Sequence, residues 1–234
     1  MSPRAVILSG GPTHDFPALS GHLAHLLAEV GLVTTITTEP EQVPALLLGA
    51  DLLVVNALRW RMQAERYAQL RAALAYSPSH NFRSALTAFV SNGGGLIGMH
   101  TASICFDDWP GWARLLGARW DWSGSSHPPC ADNTVQLRPD RHPIVAGLPP
   151  RFDTNDEIYG FLDLEPDVEA LALGHHGDAD HPLLWARPVG RGRVVHNSLG
   201  HHLPSYEPAE MQTIVRRSAL WCLRADDDDV RRAA

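Results

Sequence analysis

Two hydrophobic periods alternate along the first hundred residues. Arg4 to Ser9 (RAVILS), Leu32 to Thr38 and Asp51 to Val55 (DLLVV) are short apolar runs rich in β-branched residues, the pattern of buried strands. Between the first two, Phe16 to Val30 sets leucines and alanines at helical spacing and closes on Gly31. Arg61 to Leu74 and Phe82 to Val90 predict further helices, and Gly95 to Met99 (GLIGM) resumes a strand after Asn92-Gly93-Gly94. Strands this apolar must be covered on both faces. The pattern therefore predicts an α/β fold, a doubly wound, mostly parallel sheet with helices on both faces.

The regular alternation breaks between Asp107 and Asp156, a stretch rich in Trp, Pro, Gly and Ser with only short strand candidates such as Thr134 to Leu137. It reads as insertions near a site. Strand patterns return at Ala170 to Leu173, Pro182 to Arg187 and Gly192 to Asn197, followed by a helix from Pro208 to Leu223 with proline at its first turn. The acidic run Asp226 to Asp229 reads as a solvated, frayed end. The expectation is one domain over residues 1–224 and a charged tail over 225–234.

Composition narrows the chemistry. Hydrophobic residues at 44% and charged residues at 19% describe an ordinary globular chain. A net charge of -7 with no dense basic run argues against nucleic acid or an anionic membrane and favours a small neutral or cationic ligand. The basic residues are all arginine, so mechanisms that need a lysine amine are excluded: Schiff-base aldol chemistry, pyridoxal chemistry and a Walker-A phosphate loop. Cys105, Cys130 and Cys222 are scattered and odd in number, which suits reduced thiols in a reducing compartment. No apolar run reaches the roughly 18 residues of a membrane span, and the chain opens into a strand, so a cytoplasmic location is expected. Self-association into a homo-oligomer stays open.

In open α/β sheets ligands bind beyond the carboxyl ends of the strands. Histidine-bearing loops follow three of the strands here, at His14, His100 and His201-His202, so these residues are expected to meet at one sheet edge. His100 is followed by the small residues Thr101-Ala102-Ser103, like the sharp turn that exposes a nucleophile, and is a candidate base, acid or metal ligand. The alternative is a histidine that caps the next segment. The loop GGPTHD brings Gly11, His14 and Asp15 together, with Asp15 either orienting an imidazole or capping the following helix. In Asp156-Glu157-Ile158-Tyr159 the participants are Glu157 and the Tyr159 phenol, against the plainer role of a surface acid.

Three histidines and a carboxylate make an acceptable inner shell for a divalent Zn, Mn or Fe ion. No HxH or HExxH spacing supports one, so a site at His14, His100 and His201 is secondary to metal-free histidines. His175, His176 and His181 read as solvent-facing. Trp109, Trp112, Trp120, Trp122 and Trp185 are either core material or a stacking wall for a sugar, Trp109 being the one assigned to ligand.

Taken in order, HDF at 14–16, GGGLIGMHTA at 93–102, Trp109-Pro110, Leu115-Leu116-Gly117, DRHPIVAGLP at 140–149, DEIY at 156–159 and GRGRVVHNSLGHH at 190–202 resemble the ThuA-like (trehalose utilisation) family. That resemblance implies a flavodoxin-like sheet of the class I glutamine amidotransferase-like kind, with its site at the carboxyl edge. The amidotransferase branch needs a cysteine at the elbow, where this chain has His100, and Cys105 lies five residues further on. Amidotransfer and proteolysis are therefore not expected. The family ending SLGHD is SLGHH here, so His202 replaces an acid, and His196 stands where the family tends to place an aromatic residue.

The resemblance further implies a carbohydrate-catabolism enzyme, a hydrolase or lyase acting on a keto-sugar or 3-keto-glycoside. His100, His201, Glu157 and His14 are its expected catalytic groups, and Asp15, Gly11, Thr101, Ser103, Tyr159, Trp109 and His202 its ligand contacts. A non-catalytic sugar-binding or regulatory module is the competing expectation.

Overall fold

The computed structural model describes residues 2–233. Its first half is β1 (Arg4–Gly10), α1 (Phe16–Glu29), β2 (Val33–Thr37), α2 (Val43–Leu46), β3 (Leu52–Ala57), α3 (Ala68–Leu74), α4 (His80–Ser91) and β4 (Gly95–Met99). The second half adds α5 (Pro110–Leu116), β5 (Ala118–Arg119), β6 (Ala131–Leu137), β7 (Arg151–Asp156), β8 (Asp163–Leu164), β9 (Ala170–His176), β10 (Ala179–Val189), β11 (Gly192–Asn197), α6 (Ala209–Cys222) and α7 (Asp227–Arg232).

The main sheet has nine strands in the order β2-β1-β3-β4-β11-β10-β9-β6-β7. From β2 to β11 every pairing is parallel, and from β11 to β7 every pairing is antiparallel. The parallel half, with β11 in the fifth place, is the flavodoxin-like arrangement expected. Strand alternation sorts the core into two layers. Ile7, Leu52, Val54, Ile97 and Val195 pack with the α1 and α6 side chains Leu19, Leu23, Met211 and Ile214. Their neighbours Val6, Leu8, Leu53, Val55, Leu96 and Val194 pack with Phe82, Leu86 and Val90 of α4 and Trp112 and Leu116 of α5. Among the described residues no helix is long and apolar enough to cross a membrane.

Three segments differ from the sequence expectation. The stretch 107–156 is more than insertions, since it supplies α5 and extends the sheet through β6 and β7. One face of β6 is exposed at Asp132, Thr134 and Gln136, and on the other only Val135 and Leu137 are buried, so the strand carries little apolar signal. Before α3 the chain is not helical from Arg61: the Arg61 amide donates to Asp107 at 3.0 Å and Met62 sits at φ 53°. Finally, the acidic end does not fray over 227–232. Asp226 caps α7 by accepting from the Asp229 amide at 2.8 Å, Val230 is fully buried, and Arg217 donates to the carbonyls of Arg231 and Ala233 at 2.6 and 2.7 Å. Acids in its first turn and arginines in its last also suit the helix dipole.

Candidate functional site

The carboxyl ends of β1, β3, β4 and β11 lie along one edge because these strands are parallel. Four antiparallel pairings then return β7 to the same direction, so Asp156 and Glu157 arrive at that edge too. After β4 the chain turns sharply into a 3₁₀ segment over His100–Ser103, with His100 held at φ 41°, in the left-handed region. Gly98 permits this turn to pack closely, because a Cβ there would lie 2.4 Å from Leu116 Cδ1. Thr101 Oγ1 ties the turn to β3 by donating to the Ala57 carbonyl at 2.7 Å.

Four side chains from four loops meet at this edge. His14 Nε2 lies 3.1 Å from His201 Nδ1, which lies 3.4 Å from His100 Nε2. Glu157 Oε2 is 3.5 Å from His100 Nε2 and 3.4 Å from His201 Nδ1. His100 Nδ1 donates to the Ser198 carbonyl at 2.8 Å, an acceptor only, so one ring proton is fixed there and Nε2 is the nitrogen that faces the cluster. Tyr159 Oη lies 3.2 Å from that nitrogen. Asp156, fully buried, clamps the loops together by accepting from the amides of Glu157, Gly200 and His201 at 2.8, 2.7 and 3.2 Å.

The electrostatics follow from this packing. Burial works against the Glu157 charge, but the hydrogen bonds and charges of His100 and His201 outweigh it and hold the carboxyl well below the usual range. The Glu157 hydrogen bond in turn raises His201 against the effect of burial. His14 is pulled down to about 4 by burial and by the neighbouring charges of His100 and His201. Burial, then the charges of Glu157 and Asp156, push the Tyr159 phenol upward.

Above the cluster is a cleft of about 320 Å³ walled by Trp60, Tyr67, Trp120 and Trp122. Trp122 is 46% exposed and stacks on the buried Trp60 with ring centres 6.3 Å apart. A larger groove of about 750 Å³, which includes Pro3, Asp51 and Gly94, faces the opposite edge of the sheet and holds no histidine.

The structure thus brings together all four residues expected to be catalytic, with Tyr159 and Thr101 against them. The other expected ligand contacts are placed differently. Asp15 caps α1, accepting from the Ala18 amide at 3.1 Å. Gly11 serves the backbone: at φ 138°, a Cβ would lie 2.4 Å from the Leu58 carbonyl oxygen. Ser103 and Trp109 line a neighbouring cleft that shares Trp120 and Trp122, where Trp109 packs on Phe82, Phe106 and Trp112. His202 stands outside the cluster, 3.4 Å from the Cys130 thiol. His181 is buried rather than solvent-facing, accepting from the Phe161 amide and donating to the His176 carbonyl. The Cys105 thiol is buried, donates to the Ala57 carbonyl and is pushed up to about 12 by that burial, so it offers no thiolate nucleophile.

Besides the wall residues Trp60 and Tyr67, two polar residues of the site are not marked in the sequence. His127 reaches Glu157 Oε1 at 3.3 Å from the irregular segment, where no periodicity marked it. Asp156 was passed over for its neighbour, although an aspartate ending a strand is a common organiser of loop amides.

The trehalose utilisation (ThuA) family model matches residues 4–222. The chain belongs to the ThuA family. Membership ties it to a carbohydrate-related role of the trehalose-utilisation type. None of the curated proteins matches the sequence significantly. Among solved structures, a ThuA-like protein from Parabacteroides merdae is similar at TM-score 0.77 and 18% identity, over 95% of this chain and 90% of that one. A second, from Bacteroides uniformis, gives 0.70 and 17% over 97% and 94%. A β-galactosidase from Bacillus circulans gives 0.58 and 14%, over 95% of this chain but 30% of the larger enzyme. At these identities the likeness carries the ThuA fold alone.

Proposed function

We propose that this ThuA-family protein is an enzyme that acts on an oxidised sugar, a 3-keto-glycoside, by elimination or hydrolysis at the histidine cleft. The observation that carries the reading is the cluster of His14, His100, Glu157 and His201, of which His14, Glu157 and His201 line a cleft walled by tryptophan and tyrosine and His100 is buried directly behind them. Aromatic faces suit a sugar ring, and lone pairs at the floor suit proton transfer.

A ketone acidifies the proton on the adjacent carbon. An imidazole nitrogen takes that proton, and the C–H electron pair passes into an enolate. The enolate then collapses to a carbon–carbon double bond as the bond to the glycosidic oxygen breaks. A protonated imidazole supplies the departing oxygen with its proton, giving an enone and a free alcohol, and addition of water to the enone completes hydrolysis. His201 and His127 are the imidazoles that line the cleft, with His100 packed behind them against Glu157, while Glu157, held ionised, is the anion that orients them and not the proton donor. The sugar is a small-molecule partner, and the compartment proposed is the cytoplasm.

Incubation of the purified protein with 3-keto-trehalose, followed by chromatography, tests the reading. Release of glucose is expected. Binding of the keto-sugar with no product over hours would replace the enzyme with a sugar-binding module.

A further inference from the structure

The four clustered groups beneath the cleft have a property that acid–base work alone does not require. Their facing atoms are His14 Nε2, His100 Nε2, His201 Nδ1 and a Glu157 oxygen, and all lie within 4.8 Å of one another. Four of the separations are 3.1, 3.4, 3.4 and 3.5 Å. Nitrogen and oxygen ligands about 2.0–2.1 Å from a tetrahedral ion stand about 3.3–3.4 Å apart, so the spacing matches an inner shell.

The protons agree with the spacing. His100 spends its N–H on the Ser198 carbonyl, which fixes the tautomer that a ligand needs and is the outer-shell partner typical of metal-bound histidine. His14 Nδ1 faces the Thr13 hydroxyl at 3.0 Å and the Pro12 carbonyl at 3.5 Å, which directs its other nitrogen inward in the same way. Asp156 fixes the backbone of the two remaining ligands through the Glu157 and His201 amides. Three imidazoles with one carboxylate is a borderline donor set, suited to zinc, manganese or iron and poorly suited to magnesium or calcium.

We propose that His14, His100, His201 and Glu157 form a binding site for one divalent first-row transition-metal ion. This deepens the proposed function and rests on its reading of the quartet as the working centre. Such an ion would supply Lewis-acid polarisation of a bound ketone, and with His201 serving as its ligand, His127, outside the quartet, would be the imidazole left free to carry protons.

Protein without a histidine tag, stripped by a chelator and dialysed, is titrated with Zn²⁺ by calorimetry and with Co²⁺ by visible absorption. The expected result is one ion per chain, with the intense Co²⁺ band of a four- or five-coordinate site. His14→Ala and Glu157→Gln should each weaken Zn²⁺ by more than about 100-fold, beyond the usual cost of losing an outer-shell partner. His175→Ala, an exposed histidine, should bind as wild type. If His14→Ala does not fold, Glu157→Gln decides alone. The proposal is overturned if the stripped protein binds no stoichiometric ion. It is equally overturned if Glu157→Gln titrates like wild type, or if His202→Ala loses the ion while Glu157→Gln keeps it. An inactive protein that binds one ion overturns the proposed reaction only, and an active one that binds none overturns this site only.

Discussion

Asp156→Asn is the perturbation that couples fold to site most directly. The carboxylate is fully buried and accepts three amide hydrogen bonds, from Glu157, Gly200 and His201. Hydrogen bonds to a charged group contribute about 1.5–3 kcal/mol each. The asparagine amide keeps one acceptor oxygen, and its NH₂ must face an N–H donor that the carboxylate had satisfied. One or two bonds are lost, which comes to roughly 2–4 kcal/mol. Against a typical domain stability of about 5–15 kcal/mol the variant still folds. Urea unfolding should show a lower midpoint with an unchanged slope, and because the His201 and Glu157 loops are loosened, Zn²⁺ affinity should fall about 10–100-fold. A midpoint within about 0.5 kcal/mol of wild type would refute the clamp.

Other consequences are open to simple tests. His196 is fully buried and is pulled down to about 3 by burial, so between pH 6.5 and 3 the unfolded chain takes up a proton that the folded chain refuses, and stability falls as pH falls through that window. His196→Phe should flatten the acid limb of a stability–pH profile, and an unchanged limb would show that His196 does not govern it. Trp122→Ala, at an exposed ring stacked on Trp60, should alter stability by under about 1 kcal/mol but raise KM for the keto-sugar about tenfold with kcat retained. An unchanged KM would remove the aromatic wall from binding. Truncation after Arg224 strips Arg217 of two carbonyl acceptors and removes the buried Val230 side chain from the core, so it should cost about 2–4 kcal/mol in urea unfolding, whereas loss of a merely solvated tail would cost nothing.

The parallel half of the sheet was legible because each strand is apolar on both faces. Residues 52–57 are buried throughout, and such a run has few other uses. From that, the convergence of His14, His100 and His201 followed by topology alone. The antiparallel half was harder to read, since β6 alternates exposed polar residues with few apolar ones, so only its end, Thr134 to Leu137, stands out as a strand in sequence. The C-terminal helix escaped notice for a related reason: one valine and a distant arginine hold it, and neither gives a periodic signal. In the site, the histidines that follow the parallel strands were found, while His127, which acts from an irregular segment, and Asp156, which ends an antiparallel strand, were not. Asp15 shows the converse, where a residue suited to chemistry is used as a helix cap.

The central claim is that the quartet is a reacting centre. Wild type and His100→Gln, matched for fold by circular dichroism and urea midpoint, should be compared for turnover of 3-keto-trehalose. Release of glucose by the wild type and its loss in the folded variant is the predicted result, and equal turnover by the two would contradict the account.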